Sequence, residues 1–121
     1  MIARRIISIA TLLLAITACS KDPAESRVDA NPERGKIALT QYACHACHVI
    51  PGITGSKVFV GPQLDGVASR PMIAGNLPNN TENLVAWIRH PKRIDPLTAM
   101  PDMGVTEEHA RDMAAYLSTL K

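Results

Sequence analysis

Two cysteines and two histidines fall within five consecutive positions, Cys44-His45-Ala46-Cys47-His48, and this stretch constrains the chain more than any other. Such a cluster serves a redox dithiol, a zinc ion or the attachment of a haem, and each needs a different setting. Structural zinc takes four ligands from two spaced pairs, and catalytic zinc takes three plus water. This chain has one pair, and only His90 and His109 lie elsewhere, in no second cluster. A thioredoxin-like dithiol sits at the start of a helix after a strand, where the helix N-terminus lowers the thiol pKa. Here the pair follows a helical pattern, with no strand alternation before it. Haem attachment uses every residue of the motif: C-x-x-C on a helical turn presents both sulfurs to two vinyl groups, and the next residue offers an imidazole to iron. Cys44 and Cys47 are then the thioether residues and His48 the proximal ligand, with His45 expected to be a solvated side chain.

Composition sharpens this choice. The chain has one Trp, two Tyr and one Phe, so the large rings that usually supply core area are scarce in a body of about 90 residues. A covalent haem would supply that core. Three helices are legible. The first has Asn31 as N-cap, Pro32 at its first position and Glu33 in its first turn, with Gly35, Ala38, Leu39 and Tyr42 on one face, and runs directly into Cys44. The second has Thr81 as cap, Glu82 behind it, Leu84, Trp87 and Ile88 on one face, and Pro91 as its terminator. The third has Thr106 as cap, Glu107 and Glu108 in the first turn, and Ala110, Met113, Ala114 and Leu117 on one face. The remainder is loop rich in Gly and Pro, without a convincing strand. The expected body is all-α, and its long loops would wrap something.

The N-terminal stretch has a different character. Arg4 and Arg5 precede an apolar run of about 13 residues, Ile6 to Ala18, too short for a membrane span and suited to a secretory signal. The residues "ITA" before Cys19 resemble the lipobox of bacterial lipoproteins, with Ile16 where leucine is more usual. That resemblance implies cleavage before Cys19 and a lipid on its sulfur. Residues 1–18 are expected to be the signal, 19–30 a lipidated flexible tether and 31–121 the folded domain. The formal charge of +2 belongs to Arg4 and Arg5; the rest is balanced, eleven basic against eleven acidic side chains. A nucleic-acid partner, which needs a strongly basic face, is not expected.

From Asn31 to Lys121 the chain resembles class I c-type cytochromes, in particular the cytochrome c domains associated with haem-copper oxidases. "CHACH", "GPQLDGVASR" and "TAMP", followed by a last helix, occur in the family's order. The resemblance implies an all-α class I cytochrome c fold of about three to five helices around one covalent haem c. It also implies that Pro62 accepts the hydrogen bond of the proximal histidine, that Arg70 lies near a haem propionate and that Met100 is the distal ligand, with Met103 its close competitor. Met72 is expected in a loop and Met113 on a packed helical face. Trp87 is expected to pack on the haem, and Gly35 to meet Tyr116 where the first and last helices cross. The chain has one residue more than many relatives between Gly35 and Cys44, which leaves the register of that crossing open.

An iron closed by His and Met has no vacant coordination site, so the implied function is one-electron transfer without net chemical conversion; no enzymatic activity or small-molecule substrate is expected. Lipid on Cys19 would hold the domain to a membrane in the bacterial periplasm, on a tether with a root-mean-square reach of roughly 20 Å. Redox partners in the same membrane follow, such as a quinol-oxidising complex and a terminal oxidase. The stretch Arg89 to Arg93 either meets an acidic docking face or merely complements a helix dipole. A ligand-binding or sensory haem protein, and a dedicated electron-transfer subunit of a dehydrogenase or reductase, remain alternatives. The lipid expectation predicts that Cys19→Ser releases the domain into the soluble periplasmic fraction with its haem spectrum intact. A wild-type protein already soluble after osmotic shock contradicts it.

Overall fold

Asn31 starts the first helix as expected: its side-chain oxygen accepts from the Arg34 amide at 2.9 Å, and Pro32 follows at the first helical position. The computed structural model describes residues 29–55 and 60–121. The signal, Cys19 and nearly all of the tether lie outside them. Helix α1 (Pro32–Gln41) buries Gly35, Ala38 and Leu39. It does not run directly into Cys44: it stops at Gln41, Ala43 takes a left-handed conformation (φ 54°), and a 3-10 turn spans Cys44–Ala46.

Helix α2 (Thr81–Arg89) is capped by Asn80, one residue before the expected Thr81; the Asn80 side chain accepts from the Asn83 amide at 2.8 Å. Both residue types make good caps, so the sequence leaves this boundary ambiguous. Leu84, Val85 and Ile88 are buried, while Trp87 is half-buried. Pro91 does more than end α2: it opens the short α3 (Pro91–Ile94), where a missing N–H costs nothing. Helix α4 (Glu107–Leu117) begins at Thr106, whose hydroxyl accepts from the His109 amide at 3.2 Å, and buries Ala110, Met113, Ala114 and Leu117 as read. Four α-helices result among the described residues. Two short strands also occur, β1 (Met72–Ile73) and β2 (Leu77–Pro78), paired antiparallel with Ile73 opposite Leu77. Two residues are too few to show alternation. Met72 thus lies in a strand of this hairpin, not in a plain loop.

The core is formed where α1 crosses α4 and α2 packs beside them. A Cβ at Gly35 would overlap the Asp112 carbonyl and come within 2.9 Å of the Met113 nitrogen, so only glycine allows this backbone approach. The expected Tyr116 lies one helical turn further along α4 than this backbone contact. Tyr116 donates its hydroxyl to the Pro51 carbonyl at 2.7 Å, beside Gly52. Among the described residues the buried apolar set is aliphatic, with no aromatic ring in it. No described helix is long and apolar enough to cross a membrane.

Asp112 is buried on the inner face of α4, only 1% exposed. Arg34 grips it through Nε at 2.7 Å and Nη2 at 2.9 Å, and the Asn31 amide donates at 2.7 Å. Burial opposes its charge, but these donors outweigh burial and hold the carboxyl below the usual range. Because the folded-state pKa is depressed, the contribution to stability is full above the unfolded value of about 3.9 and fades as pH falls through the folded value. We predict that Asp112→Asn loses about 1–2 kcal/mol at pH 7, and that its deficit against wild type shrinks below about pH 4. Urea melts at several pH values check this; a deficit constant down to about pH 2 contradicts it.

Candidate haem site

A cavity of about 580 Å³ lies between the 3-10 turn, the hairpin, α2 and the loop after α3. Its size falls in the range of roughly 300–1,000 Å³ that holds cofactors. Cys44, Cys47, His48, Pro62, Arg70, Trp87 and Met100 all line it, with apolar side chains such as Leu39, Leu84 and Ile88. Residues separated by more than fifty positions thus share one wall system.

The motif is fixed by its own backbone. The amides of Cys47 and His48 both donate to the Cys44 carbonyl, at 3.2 and 3.0 Å, and the Gly61 amide donates to the Cys47 carbonyl at 2.9 Å. This last bond docks the "GPQL" loop against the motif. His48 Nδ1 lies 2.7 Å from the Pro62 carbonyl oxygen. A carbonyl can only accept, so Nδ1 carries the proton and Nε2 keeps its lone pair for a metal. Gly61 makes room for the ring: a Cβ there would strike the imidazole, within 2.9 Å of Nε2. The sequence reading assigned Pro62 but missed this role for Gly61, which was legible only as part of a Gly-Pro pair.

Burial pushes the Cys44 thiol up, only partly offset by a backbone hydrogen bond, and Cys47 adds to the rise. A dithiol catalyst needs the opposite shift. The pair also follows α1 on a 3-10 turn and does not open a helix after a strand, the setting a dithiol catalyst uses. Among the described residues no group of three or more His, Cys, Asp or Glu is placed to hold a metal. His90 Nδ1 instead faces Asp102 at 3.6 Å, and His109 Nδ1 meets the Tyr42 hydroxyl at 3.0 Å. The expectation of a solvated His45 is also corrected. Its ring is half-buried against Gly55, and Nδ1 is shielded from solvent with no partner among the described residues.

Arg70 lines the cavity while Nη2 donates to the carbonyls of Gln63 and Asp65 at 2.6 and 2.9 Å. Asn79 secures this segment through its side-chain amide, which donates to the carbonyls of Val67 and Arg70, both at 2.8 Å. Four methionines reach the lining: Met72, Met100, Met103 and Met113. Met113 belongs to the packed face of α4, and Met72 and Met103 are 42% and 44% exposed. Met100 is half-buried, and its amide donates to the Thr98 hydroxyl at 3.2 Å. A pair of cysteines, a metal-ready imidazole, a basic side chain and thioethers around an apolar cavity fit a covalent haem.

Helices wrapped around such a cavity define a class I cytochrome c architecture. The cytochrome c family model matches residues 32–121, and the chain belongs to the cytochrome c family. It carries one covalent haem c through Cys44 and Cys47 and transfers electrons. It is 38% identical over 91 residues to cytochrome c oxidase subunit 2 of Alkalihalophilus pseudofirmus, covering 73% of this chain and 25% of that protein. It is 31% identical over 88 residues to the protein of the same name from Bacillus sp. (strain PS3), covering 69% and 25%. The chain therefore spans about a quarter of the length of these relatives. Among solved structures, cytochrome c2 from Rhodobacter sphaeroides shares the fold, with a TM-score of 0.60, 23% identity and coverage of 76% of this chain and 97% of that one.

Proposed function

We propose that this protein is a lipid-anchored periplasmic electron carrier whose haem iron is held by His48 and Met100, passing electrons from a quinol-oxidising complex to a terminal oxidase. The observation that carries the ligand assignment is the Pro62-bonded imidazole of His48 on the same cavity as the half-buried Met100. When bound, the haem supplies a one-electron couple at its iron. The chain supplies everything else. Pro62 fixes the ring and tautomer of His48 and makes it a better donor. Met100 closes the other coordination position and favours the reduced state. Apolar walls keep water out and raise the cost of the extra ferric charge. Arg70 offers a charge to a propionate, and Trp87 gives the macrocycle a flat packing surface.

The anchor reading rests on the lipobox-like "ITAC". The partner reading is supported by the relatives named cytochrome c oxidase subunit 2, by that name parts of an oxidase of cytochrome c. The basic stretch is a poorer docking face than it looked in the sequence. Arg89 pairs with Glu107 at 3.2 Å, His90 faces Asp102, and the Lys92 ammonium donates to the Thr98 carbonyl. The cavity rim instead exposes Val60, Met72, Ala99, Pro101 and Met103. An apolar rim predicts that oxidation of the reduced protein by oxidase-containing membranes slows by no more than about threefold between low and physiological salt. A fall of about tenfold or more returns docking to the basic stretch, and no oxidation at all removes the oxidase as acceptor.

Met100 separates carrier from sensor. The oxidised protein is expected to show the weak near-infrared-edge charge-transfer band of methionine-ligated ferric haem, and the reduced protein to resist carbon monoxide at neutral pH. Met100→Ala should lose the band, lower the potential and admit carbon monoxide, while Met103→Ala leaves all three nearly unchanged. The reverse pattern moves the ligand to Met103. Rapid carbon monoxide binding by the wild type makes this a ligand-binding haem protein instead.

A further inference from the structure

We infer that Lys92 and His90 form a two-sided clasp that positions Met100, so that these two side chains set how often the distal loop opens. The inference rests on the reading of Met100 as axial ligand. Residues 95–105 contain no helix or strand, so nothing regular holds Met100 in place. The corner before this loop is stiff. Pro91 is buried, the Asp95 amide donates to the Pro91 carbonyl at 2.8 Å, and the Arg93 amide donates to the His90 carbonyl at 3.1 Å.

Two side chains from this corner reach the loop on either side of Met100. The Lys92 ammonium donates to the carbonyl of Thr98, two residues before it. His90 Nδ1 faces Asp102 Oδ2 at 3.6 Å, two residues after it. A shorter-range bond passes the Lys92 hold to the methionine: the Thr98 hydroxyl accepts from the Met100 amide at 3.2 Å. On the other shoulder Asp102 is itself fixed by accepting from the Gly104 amide at 3.0 Å. Upstream, Asp95 accepts from the Leu97 amide at 2.9 Å. A loop pinned at both shoulders has fewer ways to move its centre, which lowers the entropy that opening would gain.

The basic residues beside the clasp have other roles. Arg89 is turned to Glu107, which also holds Arg111 at 2.8 Å. Arg93 is exposed, and among the described residues its side chain makes no hydrogen bond or ion pair, its backbone amide alone donating to His90. Lys92 and His90 therefore act on the loop as a pair while their neighbours do not. That Lys92 lies at the end of a short helix does not account for where its ammonium goes. A dipole complement would need only proximity, whereas this group is directed at one carbonyl of the ligand loop.

The test uses the ferric holoprotein and imidazole as probe. At saturating imidazole, the observed rate of methionine displacement approaches the opening rate of the loop. Lys92→Met should raise that rate about threefold, and Lys92→Met combined with His90→Gln about tenfold. Lys92→Arg, which keeps a charged donor, should stay near wild type, as should Arg93→Met. Thr98→Val removes the acceptor for the Met100 amide and should raise the rate without touching either clasp residue. The charge-transfer band should weaken at lower temperature in the clasp variants, without a matching fall in the urea midpoint. If the double variant opens at the wild-type rate while Met100→Ala abolishes the band, the clasp is overturned and the axial assignment stands. If Met100→Ala retains the band, the axial assignment fails and the clasp fails with it. A rate increase matched by an equal loss of global stability also overturns the clasp, since it reduces the effect to general loosening.

Discussion

A cavity of about 580 Å³ is a large void for a folded body of about 90 residues, and the rest of the structure depends on how it is filled. Interiors are close-packed, and a void on this scale would forfeit contacts from every lining residue. The buried apolar side chains of the described residues are aliphatic, and none is an aromatic ring that could collapse into the space. The covalent haem is therefore structural as well as functional. It completes the core that α1, α2 and α4 only partly enclose.

The two sides of that cavity are built differently. On the His48 side the main chain does the work: the 3-10 turn closes on Cys44, Gly61 docks on Cys47, and the Pro62 carbonyl accepts the hydrogen bond of the imidazole N–H. On the Met100 side, long side chains from one corner reach an irregular loop. Main-chain bonds of this kind are short and hard to replace, while exposed side-chain contacts are individually weak. On the proposed ligation by His48 and Met100, the imidazole side is accordingly the fixed one and the thioether side the one that yields first. An electron carrier requires both sides closed on the timescale of transfer, which gives the distal ties their importance.

The sequence made α1 and α4 legible because cap, first-turn acid and apolar face agreed there. It placed the cap of α2 one residue late because Asn80 and Thr81 are both good caps. Asp112 could not be read in advance, since an acid on an apolar face needs a partner and Arg34 lies 78 positions away. The crossing of Gly35 was foreseen, but its contact with the backbone of Asp112 and Met113 was not, because helix periodicity fixes a face and leaves the position along it open. At the site, Cys44, Cys47 and His48 were legible from adjacency alone. Pro62, Arg70, Trp87 and Met100 came from the family resemblance, and the structure brings all of them to one lining. Four methionines on that lining are a feature no local pattern could have ranked.

The central claim is that the haem completes the core, and the haem-free chain tests it most directly. In the Cys44→Ala, Cys47→Ala double variant, amide hydrogen exchange followed residue by residue through α1 and α4 should show little protection, with a far-UV circular dichroism signal well below that of the holoprotein. Near-wild-type protection across the Gly35–Asp112 crossing, together with an undiminished helical signal, would show that the chain folds around an empty centre and would contradict the account.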